Sequence, residues 1–343
     1  MNNRSLSRQL GFTLVELMIA LVLGLLVGGA AIGVFVSNQQ VNRQGEAMAR
    51  MQESARYAFE LMARAIRGAG GVVCGGIEPV NVLNNPSSYW WADWEGGAIR
   101  GIAGDNPNFP KSFGTNAADR VSGTDAIILL SGTANDGVYI IDHNPTAAQF
   151  KVNTIDHGII DGDILLVCDY QHAAIFQTTN ASSTNVTIVH NSGTGSPGNC
   201  TKGLGRPRVC TANGTPYTFA NGGFITKLSA EGWYIGHNGR GERSLYRLRM
   251  QNSSGTPSGL AEEIAEGVTD LQIQYLARNN AGTLDTQYRD LPQDYDGNGT
   301  PDWNNVVAVR LTLTLATLEQ VGTNNQPIQR NWYTLISIRN RAR

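Results

Sequence analysis

Charge is scarce in this chain of 343 residues: only 16% of it is Asp, Glu, Lys or Arg, with 28 acidic against 26 basic residues. A net charge of −2 argues against nucleic acid as the main partner, because binding phosphates calls for a basic surface. Cysteine is limited to Cys74, Cys168, Cys200 and Cys210, and no two of them stand as Cys-x-x-Cys. That spacing removes the usual zinc site. Gly-x-Ser-x-Gly and His-Glu-x-x-His are both missing. The histidines, His143, His157, His172, His190 and His237, are scattered singly and read as surface or loop residues. Gly193-Thr-Gly195-Ser-Pro-Gly198 matches Gly-x-Gly-x-x-Gly in letters only, since it contains proline and opens no helix. No enzymatic activity is expected. Proline is absent before Pro79, so any bend in a helix there falls to its glycines.

What the chain does have is one long apolar run. From Phe12 to Val36 the only charged residue is Glu16. As a helix this run would be roughly 37 Å long, enough to cross a hydrocarbon core of about 30 Å. A secretory signal peptide has a shorter apolar region with a small-residue cleavage site behind it. Here the processing signal, Gly11-Phe12, lies in front. Arg4 and Arg8 in the short acid-free segment before it favour a cytoplasmic start. Gly24 with Gly28 and Gly29 with Gly33 are spaced for close helix approach in lipid, or are ordinary membrane-helix glycines. Glu16 is the anomaly. A carboxylate in a membrane helix costs a few kcal/mol and calls for a partner. Cutting after Gly11 would supply one, the new amine of Phe12, four residues away on the same helix face or on a neighbouring subunit.

Gly11-Phe-Thr-Leu-Val-Glu-Leu-Met-Ile-Ala20 resembles the processing site of type IV prepilins and type II secretion pseudopilins. The resemblance implies that a prepilin peptidase cuts after Gly11 and that Phe12 becomes the methylated N-terminus. It also makes Glu16 the glutamate of assembly and other pilins the partners of the helix. Gly267-Val-x-Asp-Leu-Gln272, Trp303-x-x-Val-Val-Ala-Val-Arg310, Ile338-Arg-Asn-Arg341 and Ser54-Ala-Arg-Tyr-Ala-Phe-Glu-Leu61 are similar to the PilW group of minor pilins. The implied organisation is a leader (1–11), a transmembrane helix (12–36), its amphipathic continuation (37–67) and an exported β-rich domain (68–343). The implied function is that of a minor pilin promoting type IV pilus assembly near the tip. Its domain would first face the periplasm from a single-pass inner-membrane anchor and later stand on the cell surface. Without the leader, 24 basic residues face 28 acidic ones, a net charge of −4. A type II pseudopilin, or an anchored protein that binds calcium or a glycan, is the alternative.

Downstream, Met48, Met51, Ala55, Ala58, Met62 and Ala65, widened by Phe59 and Ile66, recur at helical steps and predict one docking stripe. Gly68, Gly70 and Gly71 close that helix. Forty glycines and many Asn, Thr and Ser residues between short apolar runs predict antiparallel strands, hence with the long helix an α+β fold, which the resemblance implies is pilin-like. The runs are 126–130, 138–141, 164–169, 174–178, 186–189, 224–228, 233–235, 245–250, 306–315 and 332–338. Residues 261–268 read as a turn or helix feeding a strand at 271–276. Tyr89, Trp90, Trp91 and Trp94 fit either a carbohydrate or partner surface or a loop-built part of the core. The four cysteines allow three pairings in an oxidising compartment. Cys200 with Cys210, stapling the Gly- and Pro-rich loop 191–221, and Cys74 with Cys168 are the expected ones. Arg339, Arg341 and Arg343 are expected to solubilise the end of a strand.

One stretch has ligand-like spacing. Asp294, Asp296, Asn298, Thr300 and Asp302 occupy the first, third, fifth, seventh and ninth places of a calcium-loop pattern, with Gly299 at the sixth. Asn305 replaces the usual glutamate at the twelfth place, and neither flank reads as a helix. A structural calcium or a solvated turn are the two readings. No other cofactor is expected.

Overall fold

The computed structural model describes residues 12–71, 74–75, 77–132, 137–339 and 341. One α-helix, α1, runs from Leu14 to Gly68 without a break. It ends as the glycines direct: Gly70 adopts φ +69° and donates its N–H to Leu130 O (2.8 Å), and Gly71 donates to Gly68 O. Fifteen strands follow among the described residues. They are β1 (Val80–Asn81), β2 (Ile99–Ile102), β3 (Ala126–Gly132), β4 (Ile140–Asn144), β5 (Gln149–Val152), β6 (Ile164–Cys168) and β7 (Ala173–Gln177). The rest are β8 (Asn180–Ala181), β9 (Thr187–Val189), β10 (Phe224–His237), β11 (Arg243–Ser253), β12 (Thr256–Glu266), β13 (Val268–Ala277), β14 (Val306–Ala316) and β15 (Gln329–Ser337). The fold is α+β.

Two compact units divide the chain. The smaller takes α1 as far as Arg50 together with Thr317–Ile328; the larger holds the rest of the helix and all fifteen strands. Within the smaller unit Gln44 donates to Val321 O (2.6 Å) and Arg50 lies 3.5 Å from Glu319. Within the larger, α1 buries Met51, Ala55, Ala58, Met62 and Ile66, most of the stripe that the helical spacing predicts, while Phe59 and Ala65 are half-buried; Met48, in the smaller unit, is half-buried too.

Three sheets make the larger unit. An eight-stranded sheet has the order β1-β7-β6-β10-β11-β12, with β3 joined to β10 and β2 to β3; β4-β5-β9-β8 and β13-β14-β15 form the others. Among the strands of the described residues, only β1 with β7 pairs in parallel. The central strands β6 and β7 are buried throughout, and apolar but for Gln177, because each of their faces meets its own core. Ile164, Leu166 and Ile175 join Trp91, Trp94, Leu130 and Tyr234 on one side. Leu165, Val167 and Phe176 join Phe150, Ile188 and Phe219 on the other. Trp91 and Trp94 are thus core residues, with Tyr89 and Trp90 packed on them, and the aromatic cluster is not an open surface.

Two expected elements change. Residues 261–268 are not a turn or helix: β12 continues to Glu266 and turns at Gly267 (φ +75°). Ala261-Glu-Glu-Ile-Ala-Glu has helix-forming composition, but Glu262 sits opposite Arg247 in the β11 register and bonds it (2.6 Å) and Arg249 (3.1 Å). Cross-strand pairing overrides propensity there. The runs 224–228 and 233–235 are one strand, β10. Their polar interruption is accommodated because Glu231 faces Arg247 (3.7 Å) and Gly232 leaves room for the Phe109 ring.

Candidate functional site

The start of α1 brings Thr13 and Glu16 together. Glu16 Oε2 accepts the Thr13 N–H and the Thr13 hydroxyl, each at 3.0 Å, and the Glu16 N–H donates back to Thr13 Oγ1 (3.3 Å). This is a capping box, Thr-x-x-Glu, that satisfies donors left over at the helix start. Thr13-Leu-Val-Glu16 carries the signal for it in the sequence. Beyond the cap, Leu14, Leu17, Leu21, Leu25, Phe35 and their neighbours are exposed, and α1 is long and apolar enough to cross a membrane. A side-chain surface of this kind is stable only in lipid or against other apolar helices. Gly11 lies outside the described residues; Phe12 is exposed at the edge of them.

A second cluster sits between β13 and β14. Carboxylate oxygens of Asp294, Asp296 and Asp302 all lie within 4.8 Å of one another. Asp294 accepts the N–H groups of Gly297 (2.7 Å), Asn298 (3.1 Å) and Gly299 (2.8 Å). These bonds, that of Gly299 first, hold its carboxyl below the usual carboxylate range. Gly297 (φ +76°) and Gly299 (φ +85°) make the sharp turns that curl the loop around Asp294. Asp302 accepts the Tyr295 N–H (2.8 Å), and Asn298 receives Thr300 N–H (2.8 Å) while donating to Asp296 (2.9 Å). The three carboxylates form a hard, all-oxygen donor set, the kind that suits Ca²⁺, whereas the Asn298 amide oxygen is turned to Thr300.

The cysteines are joined as Cys74–Cys168 and Cys200–Cys210, the expected pairs, with Cα separations of 5.9 and 5.0 Å. The histidines differ from their sequence reading. His143, His157, His172 and His190 are all buried, and only His237 is partly open. His143 stacks on Phe150 (3.9 Å between ring centres), accepts the Phe219 N–H at Nδ1 (3.1 Å), and presents Nε2 to His190 Nε2 at 3.2 Å. Acceptance at Nδ1 places the proton of neutral His143 on Nε2, donated to His190. Burial drives both imidazoles to neutrality: His143 falls to about 4, and His190, which the charge of His143 would also oppose, to about 3. Residues 47 positions apart meet here through strand pairing, which no local spacing could announce. Arg341 is half-buried: desolvation lowers it to about 10, and it donates to Trp303 O (2.7 Å). Arg339 is exposed, and Arg343 lies outside the described residues.

The fold joins a membrane-length apolar helix, opened by the Thr13–Glu16 cap, to a β-rich domain with two disulfides. Residues 6–32 match the prokaryotic N-terminal methylation motif, and residues 232–338 match the family described as type IV pilus-assembly protein W, PilW. The two ends of the chain are thus similar to type IV pilus minor pilins of the PilW group, and neither match reaches residues 33–231. No curated protein matches its sequence. Among solved structures, a type IV-like pilin from Thermus thermophilus aligns at 12% identity over 54% of this chain and 87% of its own, with a TM-score of 0.21.

Proposed function

We propose that the chain is made as a prepilin, cut by a prepilin peptidase after Gly11 and methylated at Phe12. Residues 12–36 hold it in the inner membrane with its β-rich domain in the periplasm. It then enters a type IV pilus near the tip and promotes filament assembly through its helix. The observation that carries this reading is the first half of α1: apolar side chains exposed along a membrane-length helix, interrupted only by Glu16. Such a surface gains from lipid and from like helices alike, so a subunit can pass from membrane to filament at modest cost. In the filament, Glu16 would exchange its Thr13 cap for the amine of a neighbouring subunit.

Asp294, Asp296, Asn298, Thr300 and Asp302 would hold a calcium ion that ties the loop before β14. The ion would neutralise three crowded carboxylates and do no chemistry.

Two measurements test the proposal. N-terminal sequencing of the protein recovered from membranes is expected to begin at Phe12, and Gly11→Leu to keep the leader. Shearing surface filaments and finding the chain absent from them, while it remains abundant in membranes, would overturn the pilus role and leave an anchored protein.

A further inference from the structure

The three sheets treat their edges differently. At one side of the three-stranded sheet, β13 is closed by other parts of the chain: Asp125 donates its N–H to Leu271 O and accepts the Ile273 N–H, and Arg289 bridges Tyr275. The outer strand of the eight-stranded sheet, β12, is blunted by Pro257, Gly259, three glutamates and a register shift against β11. Such features prevent strand addition. On the far side of β14, β15 has none of them. Its nine residues pair with β14 without a register shift and include no proline, no glycine and no charge after Arg330.

The register shows what that edge offers. Ile338 donates to Val307 O, so even-numbered residues of β15 turn their backbone groups towards β14. Gln329, Asn331, Tyr333, Leu335 and Ser337 then turn theirs outward. Among the described residues nothing pairs with them. The side chains alternate in the same rhythm: Ile336 is buried, while Tyr333 is 77% and Leu335 55% exposed. A row of alternating donors and acceptors with an apolar pair beside it complements another extended chain and little else.

We propose that β15 is a docking edge for an acidic extended segment of a different polypeptide, which adds to the sheet as a further strand. Charge decides the occupant. Exposed Arg330 and Arg339 flank the edge, and no Asp or Glu occurs from Gln320 to Arg343. Two copies of β15 would bring arginines together with nothing to oppose them. The acidic β12 of a second copy is excluded by Pro257, which has no N–H to give, and by its shifted register. A separate strand with carboxylates at its ends and apolar residues between satisfies the backbone row, the Tyr333–Leu335 pair and the arginines.

The test uses the full chain in detergent micelles and two short peptides of alternating valine and threonine, one with glutamate and one with lysine at both ends. Amide exchange at Asn331, Tyr333, Leu335 and Ser337 is expected to slow by about tenfold or more with the glutamate peptide and to stay unchanged with the lysine peptide. Leu335→Glu, which places a charge of the peptide's own sign on an exposed side chain, is expected to abolish the slowing. Tyr333→Ala, which keeps the backbone row, should weaken it. Equal protection by both peptides, protection confined to other strands, no protection, or self-association through β15 without peptide would each overturn the proposal.

Discussion

In the isolated chain the Glu16 carboxylate accepts both the N–H and the hydroxyl of Thr13, so engaging a neighbour's amine means giving up the N-cap of its own helix. A cap of this kind contributes about 1 kcal/mol, which a charge-assisted bond in lipid can replace. Elsewhere at this scale, the His143–His190 contact makes the domain sensitive to acid. Both groups titrate well below their ordinary value of about 6.5 in the folded chain, at about 4 and about 3. The unfolded chain therefore takes up protons that the folded chain refuses. The stability from these neutral rings is complete above pH 6.5 and is lost as pH falls towards 4 and then 3. The slope is at most about 1.4 kcal/mol per pH unit for each histidine. Melting followed from pH 7 to pH 4 is expected to show this fall, and His143→Gln should flatten it. An unchanged slope in that variant would place the acid sensitivity elsewhere.

At the scale of elements, the loop between β13 and β14 holds three carboxylates together with backbone N–H groups as their donors. A bound cation would relieve their repulsion, so calcium is expected to raise the melting temperature by a few degrees, roughly 1 kcal/mol at this chain size. Chelator should reverse the rise, and Asp294→Asn should abolish it. A melting temperature indifferent to both would leave a plain Asx-rich turn. Legibility in the sequence followed the range of the interactions. The helix, its stripe from Met51 to Ile66 and strands such as β6, β7 and β14 are written in local periods and apolar runs, and so was the calcium-like spacing. The end of β12, the fusion of β10 and the buried histidines depend on partners far along the chain: Arg247 opposite Glu262, Phe109 against Gly232, His143 against His190. No window of a dozen residues contains those partners. The Thr13–Glu16 box is local and readable as Thr-x-x-Glu, but the same glutamate also reads as a charge in a membrane helix, and sequence alone does not rank the two roles.

For the whole molecule the question is which of the two roles of Glu16 matters to assembly. If Glu16 serves only to cap α1, removing either half of the box should do equal harm. If it meets a neighbour's amine, the halves differ, because Thr13→Val deletes the hydroxyl but leaves the carboxylate in place. Glu16→Ala is therefore expected to remain in the membrane at normal level, since losing a charge eases insertion, yet to vanish from sheared filaments. Thr13→Val should reach filaments at a level close to the unaltered chain, with faster amide exchange at Glu16, whose N–H the Thr13 hydroxyl accepts at 3.3 Å. Equal loss of both variants from filaments would assign the residue to the helix start alone. Normal incorporation of Glu16→Ala would remove charge pairing from the mechanism and leave the apolar surface of residues 14–36 as the whole driving force.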